Sequence, residues 1–487
     1  MGASLSRGSP SLRRDRLLPL IVATALFVEN MDSTALATAL PAIAADLGIA
    51  PVGLQLALTA YLLALAMFIP ISGWVADRFG ARPVFQAAIT VFLLGSIGCA
   101  TSGSLGALVA ARFVQGIGGA MMVPVGRLVL LRSVPKAQLV QALSWLTIPA
   151  LLGPMLGPPL GGLITTYTHW RYIFLINLPI GLLGIWLAWR HVPVLRSPVQ
   201  ALDWRGFAWL APSLALAMFG FAGLGRHLVD TPLALTCLVA GLAGLALYGA
   251  HWRRHEHPLL DLALLRLPTF RIALLGGSLF RIGAGAMPFL LPLMLQLGFG
   301  LDPLHSGLLT FTGAIGAMGM KPLAAWVLRR HGFRRVLLVN GLLASLVLCG
   351  YGLFRADSPT ALIIGVLVAS GCLRSLQFTS LNALVYAEVG AGRMGQASSV
   401  ASMVQQLSTA IGVTVGSYAL GVASAATGLP ETASINFAFA FLTVGLVSAS
   451  STLAFLRLAP DAGAEISGRA QPGKEVLEPM PVQRPGT

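Results

Sequence analysis

The chain has 487 residues, 56% of them hydrophobic and only 10% charged, with a formal net charge of +15. Soluble proteins are about one-quarter charged, so no polar shell exists to cover a core of this size, and a soluble globule is excluded. The composition leads us to expect an all-α polytopic membrane protein, and once the basic residues are placed on loops the charge no longer points to nucleic acid.

Runs of roughly 20 apolar residues, enough to cross a bilayer as a helix, recur throughout. We read fourteen transmembrane helices, at 17–41, 54–74, 84–101, 105–127, 139–164, 171–189, 207–225, 231–250, 271–296, 304–328, 336–354, 360–387, 397–424 and 433–456. With the N-terminus inside, 25 Lys/Arg fall on the cytoplasmic side, three on the other (Arg171, Arg226, Arg355) and four within spans (Arg112, Arg281, Lys321, Arg374). This bias and the even span count both put the two termini in the cytoplasm. The start resembles a secretory leader, with a basic stretch, an apolar run from Leu17 and the sequence ALATA. Two carboxylates just before that point, and the orientation the next span needs, argue for an uncleaved first helix.

The first span holds VENMDSTALATALP (28–41), in which Glu29 and Asp32 share one helix face. By helical rise, Asp32 lies roughly 13 Å and Glu29 roughly 18 Å below the outer surface, and Arg112 of the fourth span roughly 10 Å below it. Gln115, Gly116 and Gly119 share the Arg112 face. Charges in lipid face a cavity or one another. Two readings stay open: an Arg112–Asp32 pair that only holds two helices together, or coupled acids that exchange a proton. Burial and a like charge raise a carboxylate's pKa while a nearby arginine lowers it, so two such acids could titrate near neutrality.

Between spans 2 and 3 lies WVADRFGARPV (74–84), and 252 residues later WVLRRHGFRRV (326–336) matches it in six of eleven positions, Gly80 against Gly332 among them. Both copies fall on cytoplasmic loops, so two similar halves are expected. Gly73 and Gly80 permit a turn and close backbone approach. Asp77, Arg78 and Arg82 can bond to helix ends, although both arginines also serve as positive-inside anchors. In span 5, LGPMLGPPLGGLI (152–164) places Gly153, Gly157 and Gly161 on one face for close packing, with Gly162 beside it. Pro154, Pro158 and Pro159 remove backbone donors and bend the helix.

In the second half Lys321 is expected to snorkel to the cytoplasmic edge. Arg281 and Arg374, with Gln115 from the first half, are candidates to line a substrate cavity; if the two arginines do, an anionic or zwitterionic substrate is favoured over a lipophilic cation. Glu388 could instead neutralise one of them. Phe27 and Tyr61 could stack on substrate, though membrane aromatics more often pack or anchor. Cys99, Cys237, Cys349 and Cys372 are isolated, with no disulfide or metal spacing. GRAQPGKE (468–475) lacks the Ser/Thr of a phosphate-binding loop. His251, His255, His257 and Asp261 of HWRRHEHPLLD could hold a metal, but a solvated loop is expected and no metal is assigned.

These motifs resemble those of the major facilitator superfamily. GWVADRFGARPVF resembles its G-x-L-A-D-R-x-G-R-K loop, RFVQGIGGAMMVPVGR its fourth-helix R-x-x-Q-G signature, and LGPMLGPPLGGLI its fifth-helix antiporter signature. MDSTALATALP with WRYIFLINLPIG (170–181) resembles the fourteen-helix drug:proton antiporter branch, and QGIGGAMMVPVGRL with GMK (319–321) is most similar to the MdtD-type multidrug resistance group. The resemblance spans about 17–456. It implies the major facilitator fold: a basic cytoplasmic tail (1–16), a six-helix bundle (17–190), a linker with two extra helices (191–269), a second six-helix bundle (270–456) and a disordered cytoplasmic tail (457–487).

By the same resemblance Asp32 and Arg112 couple protons, with Glu29 an added acid, and Gly73, Asp77, Arg78, Gly80 and Arg82 form the gating loop. Gly153, Pro154, Gly157, Pro158, Gly161 and Gly162 form the antiporter helix that shapes the interface between halves. Ala37, Ala81 and Arg329 depart from the family pattern. The expected function is proton-coupled export of drug-like or metabolite small molecules across the inner membrane by alternating access. The alternative is an uncoupled facilitator, or a metabolite or anion exporter, on the same fold. The expected partners are a small-molecule substrate, protons and the lipid bilayer, with no nucleic acid. No cofactor beyond the proton gradient, no enzymatic activity and a monomeric state are also expected.

Overall fold

In a bilayer core every backbone N–H and C=O must be paired within the protein, which leaves helices as the way for such apolar segments to cross. The computed structural model describes residues 10–133, 139–192, 201–224, 230–255, 258–390 and 393–463, and no strand occurs among them. The helices are α1 (Pro10–Leu47), α2 (Gln55–Phe79), α3 (Ala81–Thr101), α4 (Leu105–Ser133), α5 (Leu139–Tyr167) and α6 (Tyr172–His191). They continue with α7 (Trp204–Leu224), α8 (Thr231–Trp252), α9 (Pro268–Gly298), α10 (Pro303–Gly350), α11 (Thr360–Leu384), α12 (Met394–Thr427) and α13 (Ser434–Phe455).

Twelve segments among the described residues are long and apolar enough to cross a membrane. One of them contains α10, whose 48 residues would extend roughly 72 Å if straight. It is broken instead at Gly332, where φ is +74°. The 29-residue α5, outside those twelve, carries no charged side chain and is roughly 43 Å long by helical rise. Local chemistry fixes several ends. The Asp302 carboxylate accepts from the His305 backbone N–H (2.9 Å) at the start of α10, with Pro303 next to it. α12 stops at Gly428, in the left-handed region with φ +67°.

The repeated loop has the same backbone in both copies. Gly80 (φ +96°, ψ +138°) joins α2 to α3, and Gly332 (φ +74°, ψ +162°) joins the two rods of α10. A side chain is strongly disfavoured at such angles, which explains why glycine occupies matching positions 252 residues apart. Gly73, expected to allow close approach, lies in helical α2 with no neighbour within 4 Å of where a Cβ would stand.

α1 packs along α5, α2 and α3 pack on α4, and in the second half α10 packs on α11 and α13 while α9 packs on α12 and α13. The most extensive pairings between these groups are α5 with α10 and α2 with α12, and α1 also meets α9. One apolar cluster at the end holding Leu40, Leu108, Phe174, Phe289, Tyr351 and Phe441 is built from both groups. The opposite ends contribute to two further clusters, one centred on Phe85 and Phe92, the other on Phe270 and Leu381.

α7 and α8 pair closely, Gly220 against Leu238 and Gly241 against Ala217, and α7 docks on α2 through Phe207–Phe68 (5.9 Å) and Trp204–Trp74 (5.8 Å). The Asp203 carboxylate, just before α7, accepts hydrogen bonds from Gly206 N–H (2.7 Å), His251 Nε2 (2.8 Å) and Leu259 N–H (3.3 Å). It thereby ties the start of α7 to the end of α8 and the segment beyond. Burial pushes its pKa up, but the bonds from Gly206, His251 and Leu259 outweigh burial and hold it below the ordinary carboxylate value.

Two predictions follow from these features. Gly332→Ala forces a side chain into a backbone region that costs about 1–3 kcal/mol, so it lowers the thermal midpoint of the detergent-solubilised protein, whereas Gly73→Ala leaves it unchanged. Because its folded pKa is depressed, Asp203 contributes stability above its unfolded pKa of about 3.9, and that contribution fades as pH falls through the folded value. Asp203→Asn is therefore less stable than the parent at pH 7, and the gap narrows below about pH 4 in a melting series.

Candidate functional site

The first-span aspartate is completely buried and meets α3, α4 and α6 at one point. Arg112 Nη1 donates to Asp32 Oδ2 at 2.5 Å, and to Gln115 Oε1 at 2.6 Å. The other oxygen of Asp32 accepts from Asn177 Nδ2 (2.7 Å) and Gln115 Nε2 (3.0 Å). Ser96 Oγ accepts from Gln115 Nε2 (2.8 Å) and Asn177 Nδ2 (3.3 Å), and donates to the Phe92 carbonyl (3.0 Å). The guanidinium also lies 4.3 Å from the centre of the Tyr61 ring, so α2 completes the enclosure. A buried charge is tolerated only when paired and hydrogen-bonded, and this constellation supplies both. Glu29 is buried one turn away on the same helix.

A cavity of about 200 Å³ lies between the two groups of helices. Its walls come from α1 (Thr34, Ala37, Thr38), α5 (Pro154, Met155, Pro158), α9, α10 and α11. The α1 residues facing it begin two positions after Asp32, so the charge network and the cavity share a helix but not a face. Lys321 and Arg374 are the charged lining residues.

The α5 glycine face determines how closely these walls approach. A Cβ on Gly153 would stand 2.8 Å from the Phe27 carbonyl oxygen, and on Gly157 or Gly161 would overlap Thr34 or Ala35 of α1. Gly162 faces Pro303 and Leu304 at the start of α10, and Gly307 of α10 faces Pro158. Beside this seam Gln296 of α9 donates to the Thr38 carbonyl at 2.8 Å. The cavity is therefore sealed at one end by α5 against α10 and α1 against α9.

The structure brings Asp32, Arg112 and Gln115 into one network and sets Arg374 in the cavity. Gln115, expected in the cavity lining, is fully buried behind it because its amide is held by Asp32 and Ser96. Arg281 is not a lining residue either: it is buried between α9 and α11, donating to Asn382 Oδ1 at 2.9 Å and lying 5.7 Å from the Phe378 ring. Lys321, expected to snorkel, is exposed and also lines the cavity, with Nζ 3.2 Å from Thr379 Oγ1. Glu388 neutralises neither arginine; its Oε2 accepts from the Thr269 N–H at 3.3 Å.

In the loop, Asp77 and Arg82 are partly buried and Arg78 is exposed. The bond to a helix end expected of this loop occurs in the second copy, where Arg334 donates to the Leu456 carbonyl at 3.1 Å. Asp203, His251 and His255 approach within 4.8 Å, yet Asp203 is already committed to backbone donors and His251. His257 lies outside the described residues, and Asp261 is bound to Arg393. The network also includes Asn177, which donates to Asp32, Ser96, which accepts from the two amides, and the Tyr61 ring beside the Arg112 guanidinium, none of which the sequence motifs assign to it. Asn177 and Ser96 could have been found as isolated polar residues in apolar runs, of which Asn177 falls inside the quoted WRYIFLINLPIG.

Comparison with known proteins gives the family. The Major Facilitator Superfamily profile matches residues 22–413 and 274–481. A protein of Pectobacterium atrosepticum named as a multidrug resistance protein, MdtD, is 39% identical over 444 residues, covering 91% of this chain and 95% of its own. The namesake from Pectobacterium carotovorum is 40% identical over 445 residues, with the same coverage. Among solved structures, a POT family transporter in complex with 5-aminolevulinic acid superposes with a TM-score of 0.68 at 17% identity, over 91% of this chain and 96% of that one. The chain belongs to the major facilitator superfamily, and it is a multi-pass membrane transporter.

Proposed function

We propose that this protein is a proton-coupled exporter of small molecules, drug-like or metabolite, working by alternating access across the inner membrane. The reading includes fourteen crossings, with α10 counted as two and α5 as one, two six-helix bundles flanking α7 and α8, and both termini in the cytoplasm. The export of drug-like compounds is suggested by the multidrug resistance name of the Pectobacterium relatives.

The observation that carries the reading is the buried Asp32–Arg112 pair on the helix that also lines the cavity. Protonating Asp32 removes the charge that compensates Arg112 and weakens the bonds from Gln115 and Asn177. An uncompensated buried cation is strongly unfavourable, so α1 is driven toward an arrangement that relieves it. Because α1 carries Thr34 and Thr38, that movement reaches the cavity wall and the seam to Gln296 within two turns. Glu29, on the cytoplasmic side of Asp32 in this topology, is placed to pass a proton to or from it. The small-residue contacts of Gly162 with Pro303 and Gly307 with Pro158 offer a seam that can part without breaking side-chain interlocks, as a two-state gate requires.

Proteoliposomes with an imposed pH gradient test this. Asp32→Asn is expected to cut gradient-driven flux at least ten-fold while substrate exchange without a gradient persists. Glu29→Gln is expected to reduce the gradient response less. If both variants keep full gradient-driven flux, these acids do not couple protons. Asn177→Leu deprives Asp32 of one of its hydrogen-bond donors and is expected to reduce gradient-driven flux, by less than Asp32→Asn does.

A further inference from the structure

Four cations lie within the apolar membrane-spanning stretches, two of them in the cavity wall. Arg112 is neutralised by Asp32. Arg281 is buried against Asn382 and the Phe378 ring, away from the cavity. Lys321 lines the cavity with only the Thr379 hydroxyl as a partner. Arg374 lines it too, with no hydrogen bond and no ion pair to any described residue. Among the described residues no Asp or Glu lines this cavity.

The membrane-spanning parts of the second half supply no acid that could compensate these charges. Asp302, Asp357 and Glu431 stand outside the helices, and Glu388 is engaged by the Thr269 backbone. Two cations facing a small, largely apolar space are unfavourable unless something negative joins them, and intramembrane charges of this kind mark substrate sites. The remaining walls indicate the rest of the ligand. Met155, Met287, Met318 and Leu367 give a flat-sided apolar surface, and Thr310 and Ser370 add hydroxyls beside the cations. Methionine adapts to varied apolar shapes and favours aromatic contacts.

We infer that the cavity binds an amphipathic organic anion, a carboxylate or sulfonate on a compact apolar or aromatic body, with Arg374 and Lys321 holding the anionic group. This names the substrate class for the cavity of the proposed exporter and rests on that reading only in calling the bound molecule a substrate. A volume near 200 Å³ suits a two-ring body rather than a large polycyclic one. Arg374 can present two parallel N–H groups to a carboxylate, whereas Lys321 acts as a point charge.

The test is equilibrium binding to the purified full-length protein in phosphatidylcholine vesicles, using three probes of one shape: 1-naphthylacetate, its neutral amide, and (1-naphthylmethyl)trimethylammonium. The anion is expected to bind at least ten-fold more tightly than the amide, and the cation is expected not to compete. Arg374→Gln and Lys321→Gln should each weaken anion binding about ten-fold or more, while Arg374→Lys and Lys321→Arg recover most of it. Should Arg374→Gln fail to give a monodisperse protein, the Lys321→Gln and Arg374→Lys pair carries the comparison.

Equal or tighter binding of the cation, no binding of the anion, or affinity indifferent to both Gln variants overturns the inference. Added phosphatidylglycerol leaves anion binding unchanged if the occupant is a soluble anion; competition by that lipid overturns the inference in favour of a headgroup. Binding does not depend on proton coupling, so the two readings fail separately. Anion binding with flux indifferent to the gradient removes only the coupling, and gradient-driven flux of the cation without anion binding removes only the substrate class.

Discussion

A carboxylate buried in apolar surroundings must be compensated, and the first half of this protein is arranged around that requirement at Asp32. Four helices send a polar side chain or a ring to the pair it forms with Arg112: α3 through Ser96, α4 through Arg112 and Gln115, α6 through Asn177, and α2 through the face of Tyr61. Breaking such a pair by removing one partner is far more disruptive than never having built it. The constellation thus fixes the relative positions of these helices, and a single proton can upset it. Structural and functional readings of the pair are not alternatives, since a contact that holds helices in place is also one whose loss moves them.

The second half carries the opposite arrangement. Its intramembrane cations have no carboxylate near them, and two of them face the space between the halves. The first half pairs Asp32 with Arg112 internally and holds a second buried acid, Glu29, while the second leaves positive charge for something else to balance. The division matches the geometry of α1, which carries the balanced pair on one face and cavity wall on another. Small residues govern how the halves meet: α5 lies on α1 through Gly153, Gly157 and Gly161, and on α10 through Gly162. Backbones brought this close without interlocking side chains form a seam that is dense yet separable.

Much of the fold was legible in the sequence because hydropathy and loop charge report directly on what a bilayer allows. Most segment boundaries fall within about three residues of the observed helices; α1 extends to Pro10 and Leu47, α2 to Phe79 and α4 to Ser133, and the tenth and eleventh segments form the one helix α10, broken at Gly332. The duplicated loop was legible because glycine at positive φ has no good substitute, and Gly80 and Gly332 share that backbone. The Asp32–Arg112 level was legible because helical rise converts residue number into depth. Depth says nothing about direction around the axis. For that reason Gln115 was assigned to the cavity when it faces Asp32, and Arg281 when it faces Asn382.

The sequence by itself determined that the chain spans a membrane as helices, that its halves are related, and that a few charges lie at stated depths in lipid. These follow from composition, periodicity and rise, which are properties of one segment at a time. Only the tertiary structure decided which charges meet and which face open space. That choice depends on the rotation of each helix about its axis and on the neighbours it is packed against. Rotation is set by contacts between residues such as Gly157 and Thr34, or Gly162 and Pro303, that lie far apart in sequence. Asn177 meets Asp32, and Lys321 and Arg374 line one cavity, through that packing alone.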